Sequence, residues 1–260
     1  MELNKIYNEE CIKGMKKIPD KSVDMILCDL PYGTTACKWD TIIPFEPLWE
    51  QYERVIKDNG AIVLTASQPF TSALVMSNPK LYKYDWVWKK AKPTGFSHSK
   101  NMPLKDYENV CVFSKGAIGH AGLIKNRMIY NPQGVFKTNR KIKRNGKGFE
   151  GSMERVSQKN EYIGKLSGFP KMVIEFSNVL KGTIHPTQKP VALFEYLIKT
   201  YTNEGETVLD NCMGSGTTAI ACINTNRNYI GFELDEGYYK TSIERIKQTL
   251  NKEWVEWNTE

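Results

Sequence analysis

The sequence predicts an α/β fold built on a mostly parallel sheet. Short apolar runs typical of buried strands alternate with stretches whose apolar residues recur at helical spacing. Between residues 4 and 65 the order is strand, helix, strand, helix, strand, and residues 207–250 form a further strand–helix–strand–helix unit. Because a helical crossover returns the chain in its original direction, this order favours parallel pairing.

Each element of the first half has its own signal. In chain order, we predict an edge strand at 4–7, a helix from Cys11 to Ile18 that Pro19 ends, a buried strand at 23–28, a helix at 46–57 that Asp58-Asn59-Gly60 ends as a C-cap, and a buried strand at 61–65. Two further strands, at 84–88 and 109–113, are separated by a long loop containing proline, glycine and serine. They predict an antiparallel hairpin at the edge of the sheet.

The last third of the chain returns to regular structure after His185. In order, it predicts a helix beginning near Pro190, a strand at 207–210, a glycine turn at 214–219 that opens a helix, a strand at 229–233, and a final helix with Tyr239, Ile243, Ile246 and Leu250 on one face.

Composition narrows the class of protein. The 260 residues are 40% apolar and 25% charged, which is typical of a soluble globular protein. No apolar run is long enough for a membrane helix, and the N-terminus, with Glu2, Glu9 and Glu10, does not resemble a signal peptide, so a cytoplasmic location is expected. The six cysteines form no Cys-x-x-Cys pair, and we predict neither disulfides nor a metal site.

Positive charge is concentrated in one segment. Residues 115–181 contain fourteen Lys and Arg against four Glu, an excess of +10, whereas the whole chain carries +7, so the remainder is net negative. Glycines interrupt this segment and its periodicity dissolves, which predicts an insertion with little regular structure. We therefore divide the chain into 1–115, a basic insertion at 116–182, and 183–260. A solvated charged surface is the alternative to a polyanion-binding insertion.

The tetrapeptide Asp29-Leu30-Pro31-Tyr32 follows the buried strand at 23–28 directly. Ligands of open α/β sheets bind at the carboxyl ends of strands, where loops converge without disturbing the core. A planar substrate could lie against Tyr32 while Asp29 accepts a hydrogen bond from it. A simple strand-ending turn is the alternative, since Asp, Pro and the following Gly33 are common turn residues.

A second motif predicts a nucleoside-containing ligand. Gly214-x-Gly216-x-x-Ala219 opens a helix directly after a strand, and Glu233 ends the next strand 19 residues beyond Gly214. This spacing fits the nucleotide-binding fingerprint, in which glycines permit close approach of the ligand and the acidic residue binds ribose hydroxyls. The fingerprint alone does not separate NAD from S-adenosylmethionine.

Three motifs in this order resemble one family. Asp29-Leu30-Pro31-Tyr32, then His185-Pro186-Thr187-Gln188-Lys189-Pro190, then 209–218 (Leu-Asp-Asn-Cys-Met-Gly-Ser-Gly-Thr-Thr) resemble the β group of DNA amino-methyltransferases. The resemblance spans Asn8 to Tyr239, apart from the basic insertion. It implies a circularly permuted, Rossmann-like S-adenosylmethionine-dependent methyltransferase fold.

The resemblance also implies roles for the tetrapeptide. Asp29 and the backbone carbonyl of Leu30 would accept hydrogen bonds from the target amino group, Pro31 would keep the turn rigid, and the extruded base would stack on Tyr32. The family usually has a second proline where this chain has Leu30, but a carbonyl serves with either residue. Aspartate at the first position resembles the adenine-N6 enzymes, so we expect adenine, with cytosine-N4 as the alternative.

For the cofactor, the resemblance implies S-adenosylmethionine. Glu233 would bind the ribose diol and Asp210 would anchor the glycine loop. The other implied cofactor residues are Cys212, Gly214, Ser215, Gly216 and Thr217 in the loop, and His185, Thr187 and Lys189 beside the methionine carboxylate. A surface position for Lys189 and a structural role for His185 are the alternatives.

The implied partner is double-stranded DNA, from which the target base must be flipped out. The basic insertion lies where the family has its target-recognition region, and its candidate phosphate contacts are Arg127, Lys137, Arg140, Lys141, Lys143, Arg144 and Lys147. A homodimer and a cognate restriction endonuclease are further possible partners. The rival readings are an NAD-dependent oxidoreductase and a non-catalytic nucleic-acid-binding module.

Overall fold

A computed structural model of the chain describes residues 1–35, 37, 40–119, 125–143, 161–178 and 188–257. These residues form two compact units. The larger comprises Met1–Asn131 and Met172–Glu260, and the smaller is Pro132–Lys171. The smaller unit lies within the predicted basic insertion, and the residues on both sides of it belong to the larger unit.

The elements follow the predicted order with several additions. The strands are β1 (Lys5–Tyr7), β2 (Val23–Asp29), β3 (Ile56–Ala66), β4 (Tyr82–Thr94), β5 (Lys105–Phe113), β6 (Phe136–Lys143), β7 (Glu161–Ser167), β8 (Val173–Phe176), β9 (Thr207–Asp210) and β10 (Asn228–Phe232). The helices are α1 (Cys11–Met15), α2 (Phe45–Val55), α3 (Phe70–Ser77), α4 (Val191–Tyr201), α5 (Thr217–Ile223) and α6 (Glu236–Trp257). Within the described ranges, none of these helices combines the length and apolar character needed to cross a membrane.

The main sheet is mixed but mostly parallel, as predicted. Its strand order is β1-β10-β9-β2-β3-β5-β4-β8. The strands from β1 to β3 in this order are parallel neighbours, β5 is antiparallel to both β3 and β4, and β8 is parallel to β4. The predicted β4–β5 hairpin therefore exists, but β8 covers its outer side and forms the edge of the sheet.

The central strand β2 contributes to both faces of the core. Met25 and Leu27 belong to one buried cluster, and Ile26 and Cys28 belong to the cluster on the opposite face. Because successive strand residues point to opposite faces, a strand covered on both sides is apolar throughout. Asp29 is the residue at which this run stops, at the carboxyl end of β2.

The predicted C-cap at Asp58-Asn59-Gly60 is wrong. Helix α2 ends at Val55, and the three residues lie in the first half of β3. Gly60 serves strand packing instead, because a Cβ atom there would lie 2.6 Å from the carbonyl oxygen of Asp24 on the neighbouring strand. The glycine marks close approach of two backbones, which a sequence pattern does not distinguish from a helix end.

The insertion is more regular than predicted. Strands β6 and β7 pair antiparallel in the smaller unit, with Lys141 opposite Ile163. Strand β8 adds to the main sheet beside β4. Lysines and a glycine interrupt β6 and β7, which have no apolar pattern that would predict them. Backbone pairing stabilises edge and hairpin strands, and a count of apolar residues does not detect it.

Candidate active site

The two sequence motifs meet in one cavity at the carboxyl edge of the parallel strands. Adjacent strands β2, β9 and β10 end at Asp29, Asp210 and Phe232, so Glu233 follows directly at the same edge. The cavity has a volume of about 950 Å³ and is lined by the whole 29–32 tetrapeptide and by residues 212–215 and 217 of the glycine loop. This convergence favours the functional interpretation of the tetrapeptide over that of a simple turn.

Among the described residues, three side chains hold the carboxylate of Asp29. The Tyr32 hydroxyl donates to Asp29 Oδ1 at 2.8 Å, and the Thr65 hydroxyl donates to the same oxygen. The ammonium of Lys189 lies 2.9 Å from Oδ2. An ionised carboxylate has about four acceptor sites, so these three donors leave room for one more, on a side chain that lines the cavity.

The Tyr32 ring forms part of the cavity wall. It stacks on Phe70 with ring centroids 5.1 Å apart and an interplanar angle of 25°. The Lys189 ammonium lies 5.5 Å from the Tyr32 ring centroid. Burial, and after it the Asp29 charge, raises the pKa of the Tyr32 phenol well above its ordinary value. The phenol therefore stays protonated and remains a hydrogen-bond donor to Asp29 at neutral pH.

Lys189 is part of a buried charge network, and the reading of it as a surface lysine is wrong. The residue is only 6% exposed and pairs with Glu108 at 3.1 Å as well as with Asp29. Glu108 in turn pairs with Lys90 at 2.7 Å. The charges alternate along the series Asp29, Lys189, Glu108 and Lys90, so each buried charge has an opposite neighbour.

These ion pairs affect the pKa values of Lys189 and Glu108 more strongly than burial does. Burial by itself lowers the pKa of Lys189, but Asp29 and Glu108 raise it above its ordinary value. Burial likewise raises the pKa of Glu108, yet Lys189 and Lys90 bring it below the ordinary value. Both groups are therefore ionised at neutral pH.

The sequence motifs do not single out Glu108 and Lys90. Glu108 lies in the first half of β5, which runs antiparallel and so brings its early residues to the same edge as Asp29. The available signal was their position beside the predicted strands, since Lys90 follows 84–88 and Glu108 precedes 109–113. Their pairing depends on strand order, which the sequence pattern does not specify.

The glycine loop is shaped by backbone conformation and by two carboxylates. Gly214 and Gly216 have φ of 53° and 83°, in the left-handed region that favours glycine. Glu233 Oε2 accepts from the Gly214 amide at 2.7 Å. Buried Asp210 accepts from the Cys212 amide at 3.0 Å and from the Thr218 hydroxyl.

The remaining loop residues stabilise this shape or border the cavity. Ser215 accepts two hydrogen bonds from Arg245 of α6, at its backbone and side-chain oxygens. Thr217 begins α5, and its hydroxyl donates to the Lys189 carbonyl at 3.5 Å. The loop thus presents backbone amides and two acidic side chains to a cavity large enough for a nucleoside, which fits an adenosyl cofactor. His185 and Thr187 lie outside the described residues.

The predicted DNA-contacting residues divide between the two units. Lys137, Arg140 and Lys141 are exposed on β6 of the smaller unit, and the backbone of Lys143 ends that strand. Arg127 is exposed in the larger unit, where its backbone bridges to Ala117. Arg144 and Lys147 lie outside the described residues.

Comparison with known families decides the class of protein. A family model described as DNA methylase, covering N6 and N4 methyltransferases, matches residues 23–244. The chain belongs to this DNA amino-methyltransferase family. The resemblance inferred from the three motifs is thereby confirmed, and the protein is a DNA methyltransferase with S-adenosylmethionine as its cofactor.

Curated relatives and solved structures agree with this assignment. The chain is 28% identical to the type II methyltransferase M1.MboII of Moraxella bovis, with 92% of this chain and 94% of the relative covered. It is 26% identical to the DNA adenine methyltransferase YhdJ of Escherichia coli (strain K12), with 94% and 83% covered. The crystal structure of the M1.HpyAVI-SAM complex matches with a TM-score of 0.60 and 25% identity, over 93% of this chain and 98% of that one.

A more distant structure shows the same fold. The PvuII DNA methyltransferase, described as cytosine-N4-specific, has a TM-score of 0.64 at 14% identity, over 95% of this chain and 91% of that one. Together these neighbours confirm the predicted α/β methyltransferase fold.

The buried Asp210 gives the methyltransferase a testable pH dependence. Burial raises the pKa of Asp210 to about 6, whereas an unfolded aspartate titrates near pH ~3.9. The folded state therefore retains a proton that the unfolded state releases, and the contribution of Asp210 to stability falls as pH rises through this window. Relative to wild type, non-titrating Asp210→Asn should gain about 3 kcal/mol between pH ~4 and pH ~7. Urea unfolding of the cofactor-free protein across this range measures the difference, and a pH-independent difference contradicts the assignment.

Proposed function

We propose that the protein is a site-specific DNA methyltransferase acting on the N6 amino group of adenine in duplex DNA, after the base is flipped out of the helix. The observation that carries the proposal is the position of Asp29. Its carboxylate lines the same cavity as the glycine loop, and its contacts with the described residues, which are Tyr32, Thr65 and Lys189, occupy three of its roughly four acceptor sites.

The chain's own residues would orient the target amine. An exocyclic amine is a poor nucleophile because its lone pair is delocalised into the ring. Hydrogen bonds from the amine to Asp29 and to the Leu30 carbonyl favour a more pyramidal nitrogen, and the Tyr32 ring offers a flat surface for the base. This would be catalysis by positioning and electrostatics, in a cavity that Asp29, Leu30 and Tyr32 line.

The cofactor half of the cavity supplies matching groups. When bound, S-adenosylmethionine provides a methyl group on a positively charged sulfur. Glu233 would accept hydrogen bonds from the ribose hydroxyls, either in addition to the Gly214 amide or in its place. Asp210 would hold the loop through its contacts with Cys212 and Thr218. Cys212 and Thr217 line the cavity and would border the cofactor, and Gly216 would keep the loop in its conformation. Lys189 would act on the Asp29 side rather than as a free cation for the methionine carboxylate.

The DNA-binding part of the proposal rests on the basic insertion. Lys137, Arg140 and Lys141 are exposed on one strand of the smaller unit and are suited to phosphate contact. The type II relatives support a cognate restriction endonuclease as a partner, and the family resemblance supports a homodimer. Light scattering of the purified protein tests the homodimer.

Aspartate at position 29 and the adenine methyltransferase among the relatives favour adenine. Cytosine-N4 is the second candidate because the family model covers both amines and the PvuII enzyme has the same fold. The decisive experiment is incubation with labelled S-adenosylmethionine and unmethylated plasmid DNA, followed by nucleoside analysis. We expect N6-methyldeoxyadenosine. Label in N4-methyldeoxycytidine overturns the base assignment, and no label in DNA overturns the proposed function.

A further inference from the structure

The β4–β5 hairpin projects beyond the rest of the sheet. We call residues 89–107 the hairpin arm. From Ala91 to Tyr107 every residue is exposed except Leu104, which is half-buried. Phe96, at the tip, is 80% exposed, and Met102 and Tyr107 are exposed to about half of their surface. Large apolar side chains at such exposure are typical of an interaction surface.

Local hydrogen bonds and a turn hold the hairpin arm. Gly95, with φ of 84°, leads into a short 3₁₀ turn at Phe96–His98. The Asn178 side chain accepts from the Lys92 amide at 3.2 Å and donates to the Lys92 carbonyl at 3.1 Å. The Thr94 hydroxyl donates to the Lys105 carbonyl at 3.3 Å. These contacts fix the arm in its projecting conformation, which lowers the entropy cost of binding a partner.

The charge of the hairpin arm is strongly positive. It contains five lysines and one acidic residue, Asp106. Lys90 is neutralised by Glu108, and Lys89 lies 3.9 Å from Glu175. Among the described residues, no carboxylate lies within salt-bridge distance of the other three, which are Lys92, Lys100 and Lys105. Their charge is available to an anionic partner.

The hairpin arm also borders the active site. Thr94, Lys105 and Tyr107 line the cavity that contains Asp29, and Phe96 follows Thr94 by two residues. A partner that delivers a group to Asp29 would therefore have the arm beside it. A polyanion with exposed aromatic bases matches both the lysines and the aromatic tip, whereas an apolar protein surface would leave the lysines unpaired.

We propose that the hairpin arm is a DNA-binding element in which Lys92, Lys100 and Lys105 contact phosphates beside the target base and Phe96 packs against the bases. The inference rests on the proposed function, in that duplex DNA is taken as the substrate. It places DNA contacts in the larger unit, independently of the basic insertion. Base–aromatic packing and phosphate contact supply complementary parts of the binding energy.

The lysines are tested by the combined variant Lys92→Gln, Lys100→Gln, Lys105→Gln. The control combines Lys21→Gln, Lys80→Gln and Lys199→Gln, three exposed lysines that precede β2, β4 and β9 and so lie at the opposite edge of the sheet. Binding to a short mixed-sequence duplex is measured across a range of salt concentrations. At low salt, we expect the arm variant to bind DNA at least about tenfold more weakly than wild type. The slope of log K against log salt should become less negative by about 2.7, which corresponds to three lost phosphate contacts.

Phe96 is tested by methyl transfer to plasmid DNA. Phe96→Ala should lower kcat/KM about tenfold, because it removes the ring that packs against the bases. Phe96→Tyr keeps an aromatic ring and should therefore retain most of kcat/KM. Cofactor affinity should be unchanged in all arm variants. If wild type methylates DNA but the triple-lysine arm variant has the same DNA affinity and salt slope as the control variant, the inference is overturned. Absence of methylation by wild type overturns the proposed function instead.

Discussion

Replacing Asp29 by alanine should lower the rate of methyl transfer by about 10²–10³-fold, the usual loss for a group that stabilises the transition state directly. The reason is geometric. Asp29 is the carboxylate at the end of β2, and Tyr32, Thr65 and Lys189 fix its orientation. Without it, the target amine loses its charged acceptor, while Lys189 keeps Glu108 as an ion-pair partner. Labelled-methyl incorporation into DNA measures the rate.

A matched control is available at the other end of the same strand. Asp20 precedes β2, is 73% exposed and pairs with Arg54 at 2.6 Å. Asp20→Ala should leave the rate within about twofold, since exposed ion pairs contribute little. S-adenosylhomocysteine affinity should be unchanged in Asp29→Ala. Full activity of Asp29→Ala in a folded protein would place the amine acceptor elsewhere and remove the basis of the proposed mechanism.

Replacing Lys189 by methionine should destabilise the protein by about 3–5 kcal/mol, because it leaves Asp29 and Glu108 beside each other without their shared cation. The ammonium is buried and lies within 3.1 Å of both carboxylates. Urea unfolding followed by circular dichroism measures the change. Adding Glu108→Gln to Lys189→Met should restore part of the loss, because Glu108 keeps Lys90 in the single variant and its carboxylate repels Asp29, which has lost Lys189.

The exposed pair between Lys89 and Glu175, 3.9 Å apart on β4 and β8, is the matched comparison. Lys89→Met should change the free energy of unfolding by less than about 1 kcal/mol. Equal effects of Lys89→Met and Lys189→Met would show that burial of the network contributes nothing to stability. Full additivity in the Lys189 and Glu108 double variant would show that the two residues do not act as a pair.

The sequence by itself determined the parallel core and both motifs. The apolar run of β2 stops at Asp29, and the glycine turn opens α5 directly after β9, because strand burial and left-handed glycine are local properties of the chain. Motif order then identified the family and the cofactor, and both are confirmed. The weaker predictions concerned segments stabilised by long-range contacts, such as β6, β7, β8 and Gly60.

Only the tertiary structure decided what surrounds Asp29. Lys189 is far from Asp29 in the chain, and nothing in its local sequence distinguishes a buried ion-pair partner from a helix-start surface lysine. The order β2-β3-β5-β4 carries Glu108 and Lys90 to the same edge, and the antiparallel course of β5 gives Glu108 its position. Ion pairs between distant strands depend on which strands are neighbours, and that choice is made by packing of the whole sheet. The Asp29 tetrapeptide could be recognised in the sequence, but the charged residues around its carboxylate could not be predicted from it.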